Sequence, residues 1–190
     1  MPCPINLMKK QSVLTVPVER ITWEGLDVPV SLDTDWFAQW QHEQPGLEFT
    51  LEKPITGAIR VERHDDNILV RARLQGELNF TCSRCLDTFA APLAAEFDLL
   101  LKIGRPPDPS QEHELDPEEL DEDYFQGDDL DLNAILREQI LLTLPLKPLC
   151  REECRGLCRH CGANLNREPC SCIAPNFHSS FAALEKLKND

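Results

Sequence analysis

The sequence predicts an α+β fold: an antiparallel β-meander packed with helices, followed by a C-terminal cysteine-rich zinc module. Three observations lead there. Apolar and polar residues alternate with a period of two through most of residues 47–101. Two stretches, one before and one after that region, carry apolar residues at helical spacing. Six of the nine cysteines fall between positions 150 and 172.

Taken in order, Ser12 to Arg20 alternates around Val16 and reads as a strand, and Trp23 to Leu26 reads as a turn. Asp33 to Gln41 is a helix candidate with Asp33 as its N-cap. Its Trp36, Phe37 and Trp40 form one stripe, expected to be core. Ile55 to Arg63 alternates and is followed by an Asx-rich turn at Asp65-Asp66-Asn67. Alternation resumes from Ile68 to Phe80, stops at Cys82 to Cys85, and returns from Thr88 to Ile103. The pattern is that of long antiparallel strands with a Cys82–Cys85 knuckle at one hairpin end and one face buried.

From Arg105 the composition changes. Twelve of the twenty-four residues from Asp108 to Asp131 are acidic and none is Lys or Arg, so this stretch carries all but two of the fourteen net negative charges. It reads as a solvated loop or as a dock for a basic protein. Leu130 to Leu144 is a second helix, capped by Asp131 and ended by Pro145, with Arg137-Glu138-Gln139 expected to point outward. Ser180 to Lys188 reads as a short terminal helix. The expected division is an N-terminal extension at 1–11, a β-rich domain at 12–105, an acidic segment at 106–130, and a C-terminal part at 131–190 with helix, cysteine cluster and terminal helix.

A net charge of −14 argues against an unassisted nucleic-acid binder and favours a basic partner protein. Met1 to Pro17 lacks the apolar run of a secretory signal. No run of about eighteen apolar residues is present, so no membrane partner is expected. The expected location is cytoplasmic, where thiols stay reduced and dense cysteines read as metal ligands before disulfides.

The cysteines are spaced Cys150-x3-Cys154-x3-Cys158-x2-Cys161-x8-Cys170-x-Cys172, with Cys82-x2-Cys85 upstream and Cys3 alone. Eight thiols are two sets of four, the number a closed structural zinc site takes. Cys158, Cys161, Cys170 and Cys172 make a local set, in which Gly162 permits the knuckle turn. Cys82, Cys85, Cys150 and Cys154 would then form a long-range clip, giving two structural zinc ions. A single shared site or an iron–sulfur cluster fits the same spacing.

Neither set resembles a catalytic metal site, which keeps an open position and draws on His or carboxylate ligands. The five histidines form no paired spacing, and no nucleophile elbow, Walker loop or dinucleotide glycine pattern occurs. The chain therefore reads as no enzyme. Lys147, Arg151, Arg155, Arg159 and Arg167 stand among the cysteines against Glu152, Glu153 and Glu168. Those arginines fit either RNA contact or plain solubility.

The residues Cys82-Ser83-Arg84-Cys85-Leu86, Pro148-Leu149-Cys150, Cys154-Arg155-Gly156-Leu157-Cys158, Cys161-Gly162-Ala163-Asn164-Leu165-Asn166 and Cys170-Ser171-Cys172 closely resemble the YceD-like family. These are the large ribosomal RNA subunit accumulation proteins of bacteria and plastids. The resemblance covers roughly residues 12–188 and leaves out Met1 to Gln11 with Cys3. It implies a non-enzymatic role in synthesis, processing or stability of 23S ribosomal RNA. The implied partner is ribosomal RNA or a pre-50S particle; the acidic segment adds a basic ribosomal protein as the expected protein partner. An RNA-processing enzyme or nuclease, and a transcription-associated zinc-ribbon protein, are the alternatives. Where family members often carry Asp-Pro-Arg, this chain has Ala174-Pro175-Asn176.

Overall fold

In the computed structural model, residues 14–106 and 123–172 are described. Cys3 and the 1–11 extension, most of the acidic segment, Ala174 to Asn176 and the Ser180 to Lys188 helix lie outside the described residues.

Five strands form the main sheet in the order β2 (Leu26–Leu32), β3 (Phe49–His64), β4 (Asn67–Thr81), β5 (Thr88–Ile103) and β6 (Asp123–Phe125), and a two-stranded sheet pairs β1 (Thr15–Pro17) with β7 (Asp129–Asp131). β3 (Phe49–His64), β4 (Asn67–Thr81) and β5 (Thr88–Ile103) run 15 or 16 residues each. They form the expected antiparallel meander. The alternation is realised most cleanly in β4, where Ile68, Val70, Ala72, Leu74, Leu78 and Phe80 are all buried. The Asp65–Asp66 turn is tight because His64 pairs directly with Asn67, and Asp65 takes φ +53. Aspartate visits that left-handed region more readily than most residues.

The remaining strands are short or irregular. β2 (Leu26–Leu32) was not anticipated. It is an edge strand, and its Pro29 is exposed, a position where a missing N–H costs no ladder bond. Of the strand expected over Ser12 to Arg20, the described residues place Thr15–Pro17 in β1 and Val18–Arg20 in a 3-10 turn. β6 (Asp123–Phe125) joins β5 in parallel, the one departure from an antiparallel sheet among the described strands. β7 (Asp129–Asp131) occupies the start of the stretch expected to be helical.

Two helices cover the buried face. α1 (Thr34–Glu43) starts where Asp33 accepts a hydrogen bond from the Trp36 N–H at 3.0 Å. α2 (Leu132–Thr143) starts where Asp131 accepts from the Asn133 N–H at 2.9 Å. α1 buries Phe37 and Trp40; α2 buries Leu132, Ile135, Leu136 and Ile140. Each fully buried Leu or Ile stabilises by about 1.5–3 kcal/mol relative to exposure. Arg137 does not point outward as expected. Its guanidinium lies over the Trp36 ring, 5.5 Å from the centroid, and pairs with Glu43. The Trp36 indole N–H donates to Asn133 at 2.9 Å, so the helices are tied to each other as well as to the sheet.

The opposite sheet face is polar. Its arginines are matched by acids: Arg60 with Asp27 and Glu62, Arg71 with Glu62, and Arg73 with Glu96. That face offers no surplus of positive charge.

Candidate metal centres

The β4–β5 connection, residues 82–87, carries the first two cysteines. The Cys82 N–H donates to Asp87 O and the Leu86 N–H to Cys82 O, each at 2.9 Å, which folds the loop into a knuckle. Leu86 takes φ +61 there, the position where the second knuckle has Gly162 at φ +72. Pro145 ends α2, the chain bends at Leu146 and Lys147, and the Ser83 N–H donates to Pro148 O at 2.9 Å. Arg84 then holds the incoming strand by its guanidinium, 3.1 Å from Glu152 O and 2.9 Å from Cys154 O.

This zipper brings Cys150 and Cys154 against Cys82 and Cys85. The four sulfurs lie within 4.8 Å of one another. Cys82 and Cys154 are 3.7 Å apart, as are Cys85 and Cys150. A tetrahedron with metal–sulfur bonds of about 2.3 Å has edges of about 3.8 Å, whereas a disulfide needs about 2.05 Å. All eight described cysteines are free thiols. Cys82, Cys85 and Cys154 are buried and Cys150 is half-buried, so no side stands open to a substrate.

The second group is Cys158, Cys161, Cys170 and Cys172, also within 4.8 Å of one another. Cys158 and Cys170 sulfurs are 3.3 Å apart. The knuckle is built by the Cys158 N–H to Ala163 O at 2.8 Å and the Gly162 N–H to Cys158 O at 3.0 Å. Cys161 and Cys172 are exposed. His160 is exposed, belongs to neither group, and gives only its backbone N–H to the Cys158 sulfur at 3.4 Å.

The electrostatics favour thiolates at selected positions. Burial alone would push the Cys82 thiol up, but the N–H groups of Cys150, Cys85 and Arg84 outweigh it and hold it at about 6. The N–H groups of Cys161 and His160 hold Cys158 at about 6 as well. Burial also opposes ionisation of Cys154, and the Asn166 amide and Gly156 N–H more than offset it. Cys172, facing the Cys161 and Cys170 sulfurs, is pushed up to about 12. Clusters in which some thiols ionise readily and the rest are raised by them fit a soft divalent cation, which relieves that repulsion.

Three residues with a part in these clusters gave no sequence signal as ligands: Asp87, Asn164 and Asn166. The Asn164 side-chain N–H donates to Asp87 at 2.9 Å, and the Asn166 side-chain N–H donates to the Cys154 sulfur at 3.3 Å. The available hint was two asparagines spaced i, i+2 between cysteines. Beside the first cluster lies an apolar cleft of about 400 Å³, lined by Phe80, Phe89, Leu93, Leu144 and Leu149 among others, with no ionisable side chain in its wall.

Residues 70–188 match the family model described as large ribosomal RNA subunit accumulation protein YceD. The chain belongs to this family. Among the curated relatives it matches, an uncharacterized protein of Mycobacterium leprae is 27% identical over 127 residues, 65% of this chain and 56% of the relative. Arabidopsis thaliana has a chloroplastic protein named large ribosomal RNA subunit accumulation protein YCED homolog 1. It is 21% identical over 164 residues, 71% of this chain and 49% of the relative. The protein of the same name from Zea mays is 25% identical over 146 residues, 65% and 50% of the two chains. The chain thus spans about half the length of the curated relatives it matches. No solved structure matches it. Among the described residues, no helix is long and apolar enough to cross a membrane.

Proposed function

We propose that this chain is a non-enzymatic factor in accumulation of the large-subunit ribosomal RNA, stapled by a structural zinc ion in each cysteine cluster and working in the cytoplasm. The observation that carries this reading is the chemistry of the two sites. Each is a complete four-thiolate set with no carboxylate or imidazole among its members, and the clip is closed to solvent on most sides. A zinc ion held there supplies folding energy rather than a Lewis acid for substrate. The family name supports the ribosomal role.

The charge layout supports a division of labour. The Cys82–Cys85 loop lies at one end of β4 and β5. The acidic segment is rooted at the other, where the Ile103 N–H meets Asp66 O at 2.7 Å and β6 pairs with β5. Fifteen residues of strand separate the two ends by ~50 Å. A basic ribosomal protein held by the acidic segment would therefore not occlude the cysteine module. Arg151, Arg155 and Arg159 of that module are exposed and form no ion pair among the described residues. They offset the two negative charges that four thiolates and one divalent ion leave at a site, and they face solvent where RNA phosphates can approach.

Sedimentation of the full chain with large-subunit precursor particles tests the reading. Co-migration with those particles is expected, and replacing the acids of 108–131 by amides should weaken capture of basic ribosomal proteins. Unchanged capture would sink the role of the acidic segment. Cleavage of ribosomal RNA by the purified protein, abolished by a point substitution, would replace the non-enzymatic reading with a nuclease.

A further inference from the structure

The two cysteine clusters share no ligand, yet the segment that carries the second is bonded into the first. Asn166 sits between Cys161 and Cys170 in sequence, and its amide serves the other cluster. Its Nδ2 donates to the Cys154 sulfur at 3.3 Å and to Asn164 Oδ1 at 2.9 Å, while its Oδ1 accepts from the Arg155 N–H at 2.8 Å. Asn164 spends its own N–H on Asp87 Oδ2 at 2.9 Å, and Arg167 reaches Asp87 Oδ1 at 2.9 Å. Asp87 is two residues beyond Cys85, and its Oδ2 is 3.6 Å from the Cys85 sulfur. Backbone bonds complete the joint: the Leu157 N–H to Arg84 O at 3.1 Å and the Leu165 N–H to Gly156 O at 2.9 Å.

We infer that Asn164 and Asn166 are positioning residues through which the two metal sites load as one cooperative unit. This rests on the reading of both clusters as metal sites. Once Cys85 is a metal-bound thiolate it can no longer donate to Asp87, and two negative groups face each other at 3.6 Å. The Asn164 N–H and the Arg167 guanidinium are what satisfy the Asp87 carboxylate in that state. The Asn166 N–H does the same for the Cys154 thiolate, which has few other donors once buried. Both asparagines lie on the 161–170 span that the second cluster closes, so metal in the second site orders the donors the first site uses. Linkage makes the effect reciprocal: metal in the clip holds Arg155 and Asn166, and so pre-shapes the second site. Donors placed behind a metal ligand typically account for about 10–100-fold in affinity.

The test uses the full chain, reduced and stripped of metal, then titrated with zinc or cobalt against a chelator, with metal counted by native mass spectrometry. Wild type is expected to bind two ions in one concerted step. Asn166→Asp keeps the size of the side chain but turns the donor into an acceptor. It is expected to weaken the clip about 10–100-fold, split the titration into two steps, and shift the thiolate-to-cobalt charge-transfer band to lower energy. The pair Cys161→Ser/Cys172→Ser, which disables the second site, is expected to weaken the clip by a comparable factor. Arg167→Gln, at an exposed ion pair, should weaken it only about two- to fivefold. Two ions bound independently, with clip affinity unchanged within twofold in the paired serine variant, would overturn the coupling and leave the metal reading standing. No ion bound by wild type would overturn both. Should Asn166→Asp fail to fold, the paired serine variant decides alone.

Discussion

Cys85→Ser is expected to lower the melting temperature of the whole sheet more than Cys161→Ser does. The clip joins positions far apart in sequence: Cys85 to Cys150 spans 65 residues and Cys82 to Cys154 spans 72. The chain-entropy expression for a cross-link over such a loop gives about 4 kcal/mol at 25 °C. For a chain of this size each kcal/mol moves the midpoint by about 2–4 °C, so the expected drop is about 8–16 °C. The second cluster closes a span of only 12 positions from Cys158 to Cys170. The strands and helices lie outside that loop, so Cys161→Ser reaches their transition only through the coupled affinity of the clip, where a tenfold loss is about 1.4 kcal/mol, a drop of ~3–6 °C. The assay is thermal unfolding followed by tryptophan fluorescence in excess zinc, because Trp36 and Trp40 sit in the core and report on the sheet and helices. One fixed metal concentration for all variants makes differences in midpoint report differences in affinity and cross-linking. Equal shifts for the two variants would refute the assignment of the clip as a long-range staple. So would a chelator that leaves the wild-type midpoint unmoved.

Two further outcomes follow from the same geometry. Metal loading should strengthen as pH rises, because every ligand must be a thiolate and binding releases protons. Cys82 and Cys158, held at about 6, bind as thiolates at neutral pH, and their contribution is lost as pH falls through that value. A chelator competition run from pH 8 to pH 5 should show affinity falling steadily toward acid, and a flat profile would exclude thiolate ligation. Gly156 lies at φ +73, and a Cβ there would meet Arg84 O at 2.9 Å. Gly156→Ala should therefore cost about 1–2 kcal/mol in left-handed backbone strain alone and loosen the joint between the clusters, read by urea unfolding.

The helices and the three long strands were legible because their signals are local. Asp33 and Asp131 each cap a run of apolar residues at helical spacing, and both caps are used. The end of β3 and the whole of β4 and β5 follow period-two alternation broken by Asp65–Asp66 and by the cysteine loop. β2 alternates at Leu26, Val28, Val30 and Leu32, but Pro29 masks the strand signal unless the strand is known to lie at an edge. β6 and β7, three residues each, sit in or beside the acidic stretch, and their partners are far away in sequence. Arg137 read as a surface charge because its Trp36 and Glu43 partners lie on another helix. The grouping of the cysteine sulfurs could be anticipated from spacing, since Cys-x2-Cys is a local chelate. The Asn164–Asp87 contact could not, being 77 residues long and made by a residue type with no ligand role of its own.

On the proposed reading, metal rather than apolar burial holds the segment after α2 in place. The main core ends in a run of ring contacts, with Phe49 to Phe80 at 6.1 Å and Phe80 to Phe89 at 6.0 Å. Beyond Phe89 the only buried residues of the satellite cluster are Cys82, Cys85 and Cys154, with Leu149, Cys150 and Leu157 partly buried against them. Leu142 is 73% exposed and Leu146 fully so, so residues 142–149 gain little from burial. A hydrophobic cluster this small cannot offset the ordering of some ten residues at about 1–2 kcal/mol each. Four metal–thiolate bonds can, since structural zinc contributes about 10–16 kcal/mol in isolated modules. Removing metal should then free this segment before the sheet unfolds. Limited trypsin digestion with chelator, at a temperature well below the melting transition, is expected to open this segment first at Arg151, since Pro148 protects the bond after Lys147, while the β3–β5 fragment survives. First cuts within β3 to β5, or the same pattern with and without chelator, would mean that burial rather than metal holds the segment in place.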